Sequence, residues 1–264
     1  MERIDSLSND KIKFACKIAS SSRKRREEKL FFLEGLRLCK DAALSDVEID
    51  YAFFGEAATE KYDSDISFIS QKAKKSFIVS KQIEKKLALT ENSQGVFCLC
   101  RMNSKKHEFS YRKKYIALDN IQDPANLGAV IRTGEALGID GAIICGGCDI
   151  YSPKAQRAAM GSLLRMPVFE CESLPEFLVE CKNNNMHVYA STPDNSARKI
   201  TNINTESAMV CVIGNEGNGV SESVFEVCEK VTIPMLGRAE SLNASMAAAI
   251  IMWEMMRGTQ SDNG

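Results

Sequence analysis

The sequence predicts an α/β protein of two domains, the second built on a parallel sheet. Three observations carry this. From Tyr115 onward short apolar runs alternate with helical patterns, as strands joined by crossover helices do. The length of 264 residues fits two domains of roughly 100–150 residues, each able to bury a core. The charge is also divided: residues 1–114 hold 24 basic and 17 acidic side chains, a net of +7, and the remaining 10 basic and 18 acidic give −8. A formal net charge of −1 over the whole chain therefore conceals a basic first part and an acidic second part. The expected division is 1–100 for the first domain, 101–114 for a linker and 115–264 for the second domain.

In the first domain Asn9 to Ser20 has a helical pattern, and the run Arg23-Lys24-Arg25-Arg26-Glu27-Glu28-Lys29 reads as a charged turn. Phe31 to Leu44 reads as a second amphipathic helix. Apolar runs at Tyr51–Phe54, Phe77–Val79 and Val96–Leu99 fit buried strands. Arg101 to Lys114 is polar, basic and without periodicity, which suits a linker. Beyond it, Tyr115–Leu118 is a strand, and Asp123-Pro124 is an N-cap followed by proline at the first helical position. Leu127, Val130, Ile131 and Gly134 share a helical face, and Gly138 supplies a stop. Ala142–Cys145, Val188–Ala190, Met209–Ile213 and Val231–Ile233 are further strands, and Ser152-Pro153 opens another helix. Ser241 is expected to cap a last helix running to about Arg257, apolar almost all round and so buried. Ligands of such parallel sheets sit at the carboxyl ends of the strands, so the loops of interest begin at Asp119, Ser191, Gly214 and Pro234.

Composition narrows the chemistry. The amino terminus has acids and no apolar run, and the most apolar stretch, Met246–Trp253, falls far below the ~18 residues a span needs; a cytoplasmic protein without membrane contact is expected. Ten cysteines are scattered through hydrophobic segments, as reduced core thiols are, and the one CxxC, Cys145–Cys148, has no second pair at zinc spacing. With two histidines, His107 and His187, no metal site is expected and a Ser–His triad is disfavoured. The loop Gly214-Asn215-Glu216-Gly217-Asn218-Gly219 lets backbone approach a ligand closely, but it is neither GxGxxG nor a P-loop. Arg132 falls beside apolar Ile131, where a buried guanidinium requires a dedicated partner.

Asn126–Arg132 (NLGAVIR), Gly214–Gly219 (GNEGNG) and Ile233–Ser245 (IPMLGRAESLNAS) closely resemble, in order, the three motifs of the SpoU (TrmH-type) RNA ribose 2'-O-methyltransferases of the SPOUT superfamily. The first domain is similar, over Phe31–Lys40 (FFLEGLRLCK), to the RNA substrate-binding domain that precedes many of them. The resemblance implies a small α/β RNA substrate-binding domain followed by a parallel-sheet methyltransferase domain ending in a trefoil knot. It also implies S-adenosyl-L-methionine as cofactor, a homodimer with the active site near the subunit interface, and RNA as substrate, ribosomal RNA ahead of tRNA. Asn126, Arg132, Glu216, Ser241 and Asn243 match the family's polar active-site set. Thr192, Gly214, Gly219, Ile233, Met235 and Leu242 match or adjoin positions that hold the cofactor.

In enzymes this resembles, the arginine matching Arg132 is proposed as the base; an electrostatic hold on a phosphate or developing alkoxide is the equally physical alternative. The cluster Arg23, Lys24, Arg25 and Arg26 is the first choice for RNA contact, since Lys/Arg contacts to phosphate give affinity with little sequence information. The competing readings are a catalytically silent RNA-binding or ribosome assembly factor of the same fold, and a nucleotide-dependent enzyme of small molecules. Three intact loop motifs oppose the first, and the basic amino-terminal domain opposes the second.

Overall fold

The computed structural model describes residues 1–102 and 107–257. The described residues form two compact units, one from residues 1–102 with Asp149–Leu164, the other from His107–Cys148 with residues 165–257.

The first unit runs β1 (Glu2–Ile4), α1 (Asp10–Ser20), α2 (Ser22–Glu28), β2 (Leu30–Glu34), α3 (Leu36–Leu44), β3 (Ile49–Gly55), α4 (Glu56–Lys61), α5 (Asp63–Lys72), β4 (Ala73–Val79), α6 (Lys81–Leu87) and β5 (Val96–Arg101), with α8 (Pro153–Ala159) added later in the chain. Its sheet has the order β1-β4-β3-β5-β2, with β5 antiparallel to both neighbours. Both faces are covered. Ile12 and Ile18 of α1 and Ile83 and Leu87 of α6 pack on Phe32, Phe53, Phe77 and Phe97. Cys39, Ala58, Ile66 and Ile69 of α3, α4 and α5 pack on Phe31, Leu33 and Phe54.

This double cover explains the main departure from the sequence reading. Phe31 to Leu44 is a strand followed by a helix, not one helix. A strand buried on both faces shows no alternation, and all five residues of β2 are buried. Gly35, at φ 104°, breaks it from α3 within a single residue.

The charged run is helical as well: Ser21 accepts from the Lys24 amide and caps α2. Within it Arg25 is 4% exposed. Its Nε meets Asp149 Oδ2 at 2.8 Å, and its Nη1 donates to the carbonyls of Ile18 and Ala19 at 2.7 and 2.9 Å. Arg25 is thus committed inside the protein, which corrects the expectation that it contacts RNA. It also explains why Asp149–Leu164 joins this unit, where Tyr151 packs on Phe31 at 5.1 Å between ring centroids. Arg25→Met should cost about 3–5 kcal/mol, the loss incurred by stripping one member from a buried pair. Urea unfolding measures it, and a change under about 1 kcal/mol would contradict the buried role.

The second unit runs β6 (Lys114–Asp119), α7 (Pro124–Leu137), β7 (Gly141–Cys145), β8 (Val168–Cys171), α9 (Leu174–Asn183), β9 (His187–Ser191), β10 (Arg198–Lys199), β11 (Met209–Ile213), α10 (Glu222–Phe225), β12 (Glu229–Thr232) and α11 (Ala244–Met256). Its seven strands are parallel, in the order β10-β12-β9-β11-β6-β7-β8. The chain moves outward from β6 to β8, then crosses to β9, and β11 fills the place between β9 and β6. The order therefore reverses at β6, and ligand crevices form at the carboxyl ends beside such a reversal. α7 begins at the expected cap, with Asp123 accepting from the Ala125 amide, and ends at Gly138 in the left-handed region.

Two expectations change in this unit. The sequence suggests a linker at 101–114, yet Phe109 stacks on Tyr115 at 4.3 Å and meets Phe169 and Phe177 edge-on, so the second half of that stretch packs on the core. Residues 103–106 of that stretch lie outside the described residues. The last helix is capped by Asn243, not Ser241: Asn243 Oδ1 accepts from the amides of Ser245 and Met246. Its far end is held by buried Lys114, whose Nζ donates to the carbonyls of Thr205 and Met255 at 2.6 and 2.9 Å. Burial pushes the Lys114 ammonium below the usual lysine range. α11 is also not buried all round, since Met246, Ile250 and Trp253 remain exposed.

The ten cysteines are free thiols, five of them buried. Among the described residues no helix is long and apolar enough to cross a membrane, and no group of three potential metal ligands occurs.

Candidate active site

The loop after β11 closes on itself before it does anything else. Asn215 and Gly219 exchange both backbone hydrogen bonds at 2.9 Å. Gly214 lies so close beneath that closure that a Cβ there would come within 2.1 Å of Gly219 C and Val220 N, so only glycine fits. Asn215 stiffens the turn. Its Oδ1 accepts from the Gly217 and Asn218 amides, and its Nδ2 donates to the Asn120 carbonyl at 2.9 Å.

Held this way, Glu216 reaches across to the start of α7. Its two oxygens accept from the backbone amides of Gln122 and Asp123 and from Asn126 Nδ2, each at 3.0 Å. Desolvation pushes its carboxyl up, but these three donors outweigh it and hold the group below the usual carboxylate range. Asn126 passes the connection on: its Oδ1 accepts from Asn243 Nδ2 at 3.1 Å, and Asn243 caps α11. One polar chain, Glu216–Asn126–Asn243, therefore joins the loops that follow β6, β11 and β12.

Beside it is a cavity of about 580 Å³ at the carboxyl ends of β9, β11 and β12. Thr192, Gly214, Gly219, Ile233, Met235 and Leu242 line it, as do Glu216, Ser241 and Asn243. The volume lies within the range of small-molecule sites, and the wall combines glycine backbone and apolar side chains with polar groups such as Thr192, Glu216 and Ser241. Phe225 and Glu240 also line it and were not singled out from the sequence; Phe225 carries no motif signal, and Glu240 adjoins the expected Ser241.

Arg132 stands apart. It is exposed, and among the described residues nothing in its own chain pairs with it. The expectation of a dedicated buried partner fails because the apolar face of α7 is carried by Leu127, Val130 and Ile131 while Arg132 turns outward. Of the basic cluster, Arg23 and Lys24 pair with Glu27 and Glu28, Arg25 is buried, and Arg26 alone is exposed without an ion pair among the described residues.

Comparison with known proteins places these features. Residues 113–253 match the model of the SpoU rRNA Methylase family, and residues 9–98 match the MRM3-like substrate binding domain. The chain is 29% identical over 257 residues to the 23S rRNA (guanosine(2553)-2'-O)-methyltransferase RlmP of Bacillus subtilis, covering 97% of this chain and 99% of the relative. An AdoMet-bound rRNA methyltransferase from Sinorhizobium meliloti shares the fold with a TM-score of 0.86 at 24% identity, over 98% of this chain and 99% of that one. The SpoU methyltransferase AviRb of Streptomyces viridochromogenes, in complex with AdoMet, aligns with a TM-score of 0.83 at 22% identity, over 96% and 99%.

Proposed function

Because the chain belongs to the SpoU rRNA methylase family, we propose that it transfers a methyl group from S-adenosyl-L-methionine to a ribose 2'-hydroxyl of ribosomal RNA. The observation that carries this is the Glu216–Asn126–Asn243 chain, which ties three motif loops into one rigid rim on a glycine-walled cavity. A bound S-adenosyl-L-methionine would supply an electrophilic methyl carbon on a sulfonium. The residues present suit it: Gly214 leaves room only for backbone, the apolar side chains of Ile233, Met235 and Leu242 offer surface for the adenine ring, and Thr192, Glu216 and Ser241 offer polar groups for the ribose and the charged end.

The protein's own work is positional. Holding both reactants in line supplies roughly 7–11 kcal/mol of barrier reduction, while a general base adds about 10²–10⁴-fold. Asn126 and Asn243 present amides at the rim, and Ser241 a hydroxyl, to a ribose entering there. Arginine side chains keep their charge in proteins, so Arg132 acts electrostatically on a phosphate or on the oxygen that becomes negative. Met235 and the residues from Glu240 to Asn243 share the cavity with the loop after β11, and the family resemblance implies that the chain is knotted there.

The functional enzyme is a homodimer. Met246, Ile250 and Trp253 fall on one stripe of α11 and are 58%, 43% and 53% exposed, an apolar surface that a second copy would cover. The first unit captures RNA, the second performs transfer, and a ribosomal substrate sets the work in the cytoplasm. The test is to map 2'-O-methyl sites in total RNA from cells with and without the protein. One site should vanish from ribosomal RNA and return with the intact gene; loss of no site in any RNA would overturn the assignment.

A further inference from the structure

The unit-1 sheet carries unequal charge on its two faces. The helices on one face, α1 and α6, hold six lysines against two acids, Asp10 and Glu84. Those on the other face, α3, α4, α5 and α8, hold six basic and five acidic side chains. Both acids of the first face are already occupied: Asp10 meets Lys13 at 3.6 Å, and Glu84, buried, meets Lys81 at 2.7 Å. Lys11, Lys17, Lys85 and Lys86 are left with no carboxylate partner among the described residues. The two helices form one surface, since Cys16 of α1 contacts the Lys86 carbonyl of α6 at 3.8 Å. Lys86 also donates to the Leu7 carbonyl at 3.0 Å, and Lys11 sits over the Phe77 ring at 5.3 Å. Lys13 and Lys17, and likewise Lys81 and Lys85, are one helical turn apart, about 6 Å along the axis.

The contrast with α2 decides the matter. There the acids Glu27 and Glu28 meet Arg23 and Lys24, and Arg25 is buried, so the densest basic run in the sequence presents little free charge. We propose that the phosphate backbone of the substrate RNA docks on the α1–α6 lysine face and not on the Arg23–Arg26 run; this rests on the ribosomal RNA reading above. The face bears point charges on flexible stems, which suits holding a backbone and positioning it without reading bases.

Filter binding of deproteinised large-subunit ribosomal RNA to the full-length protein across a KCl series tests this. Each neutralised phosphate contributes roughly 0.7–0.9 to the log–log salt slope. The triple variant K17Q/K85Q/K86Q should therefore bind about tenfold more weakly, with a slope smaller by roughly 2. K17R/K85R/K86R should keep wild-type affinity and slope, and R23Q/K24Q/R26Q should stay within about twofold. Calorimetry with S-adenosyl-L-methionine should give the same Kd for all, showing intact folds. Wild-type binding without salt dependence, an unchanged K17Q/K85Q/K86Q, or an equal loss in R23Q/K24Q/R26Q would overturn the proposed surface. Wild-type protein that binds in this pattern yet transfers no methyl group would overturn the functional reading and leave the surface standing.

Discussion

Replacing Glu216 with glutamine should lower kcat about 100-fold, the cost of displacing an otherwise intact site by roughly an ångström. Glu216 is surrounded by donors only: two backbone amides of the α7 entry and the amide of Asn126. A glutamine brings one NH₂ into that ring, so a donor must face a donor. The entry to α7 then loosens, Asn126 loses its fixed orientation, and Asn243 loses its partner at the head of α11. Thermal stability should change little, since Glu216 is exposed, so activity and melting temperature should separate. The same geometry sets the acid limb of the pH profile. The folded-state carboxyl lies below its ordinary range, so its contribution is fully present above the unfolded pKa and is lost as pH falls through the folded one. Turnover by wild type should hold through the ordinary carboxylate range and fail only below it. Full activity in E216Q under single-turnover conditions would remove the network from the mechanism.

Much of this unit was legible because each signal is local and physically forced. Asp123-Pro124 can begin a helix and do little else there, and Gly138 ends it. Gly214 announced a close backbone approach, though not that the atoms approached would be those of its own loop. What eluded sequence reasoning depends on long-range contact. β2 carries five consecutive buried residues, so its period of two vanished into a continuous apolar run. Arg25 lies in a solvated-looking stretch, and only Asp149, far along the chain, makes its burial tolerable. Ser241 and Asn243 are both good caps, and choosing between them required the path of the loop: Asn243 can serve α11 and Asn126 at once. Arg132 was expected inside because its neighbour Ile131 is apolar, but a 100° step per residue puts the two on different faces.

That outward position makes Arg132 the other decisive residue. Arg132→Ala should lower kcat by about 10²–10³-fold, the usual cost of losing one electrostatic donor to developing charge, with cofactor Kd within about twofold. Arg132 is six residues beyond Asn126, a rotation of 600°, so it cannot share the face on which Asn126 meets Glu216 and Asn243. It lies outside the cavity lining of its own chain and has no partner there among the described residues. Meanwhile α7 packs along α11, whose Met246, Ile250 and Trp253 are exposed. The proposed dimer offers Arg132 a second rim, that of the other protomer, besides its own. Mixed dimers distinguish this from action within one chain. R132A and E216Q are each defective alone, yet a hybrid of the two keeps one site with an intact Arg132 from one protomer and an intact Glu216 from the other. An equimolar mixture, in which half the dimers are hybrids with one intact site of two, should restore about a quarter of the wild-type rate, whereas action within a single chain restores nothing. Trp253→Glu, which places a charge in the stripe, should yield monomers by sedimentation and abolish turnover while the isolated chain still binds cofactor. A monomeric W253E that methylates at the wild-type rate would show that Arg132 serves its own chain and that the apolar stripe has another purpose.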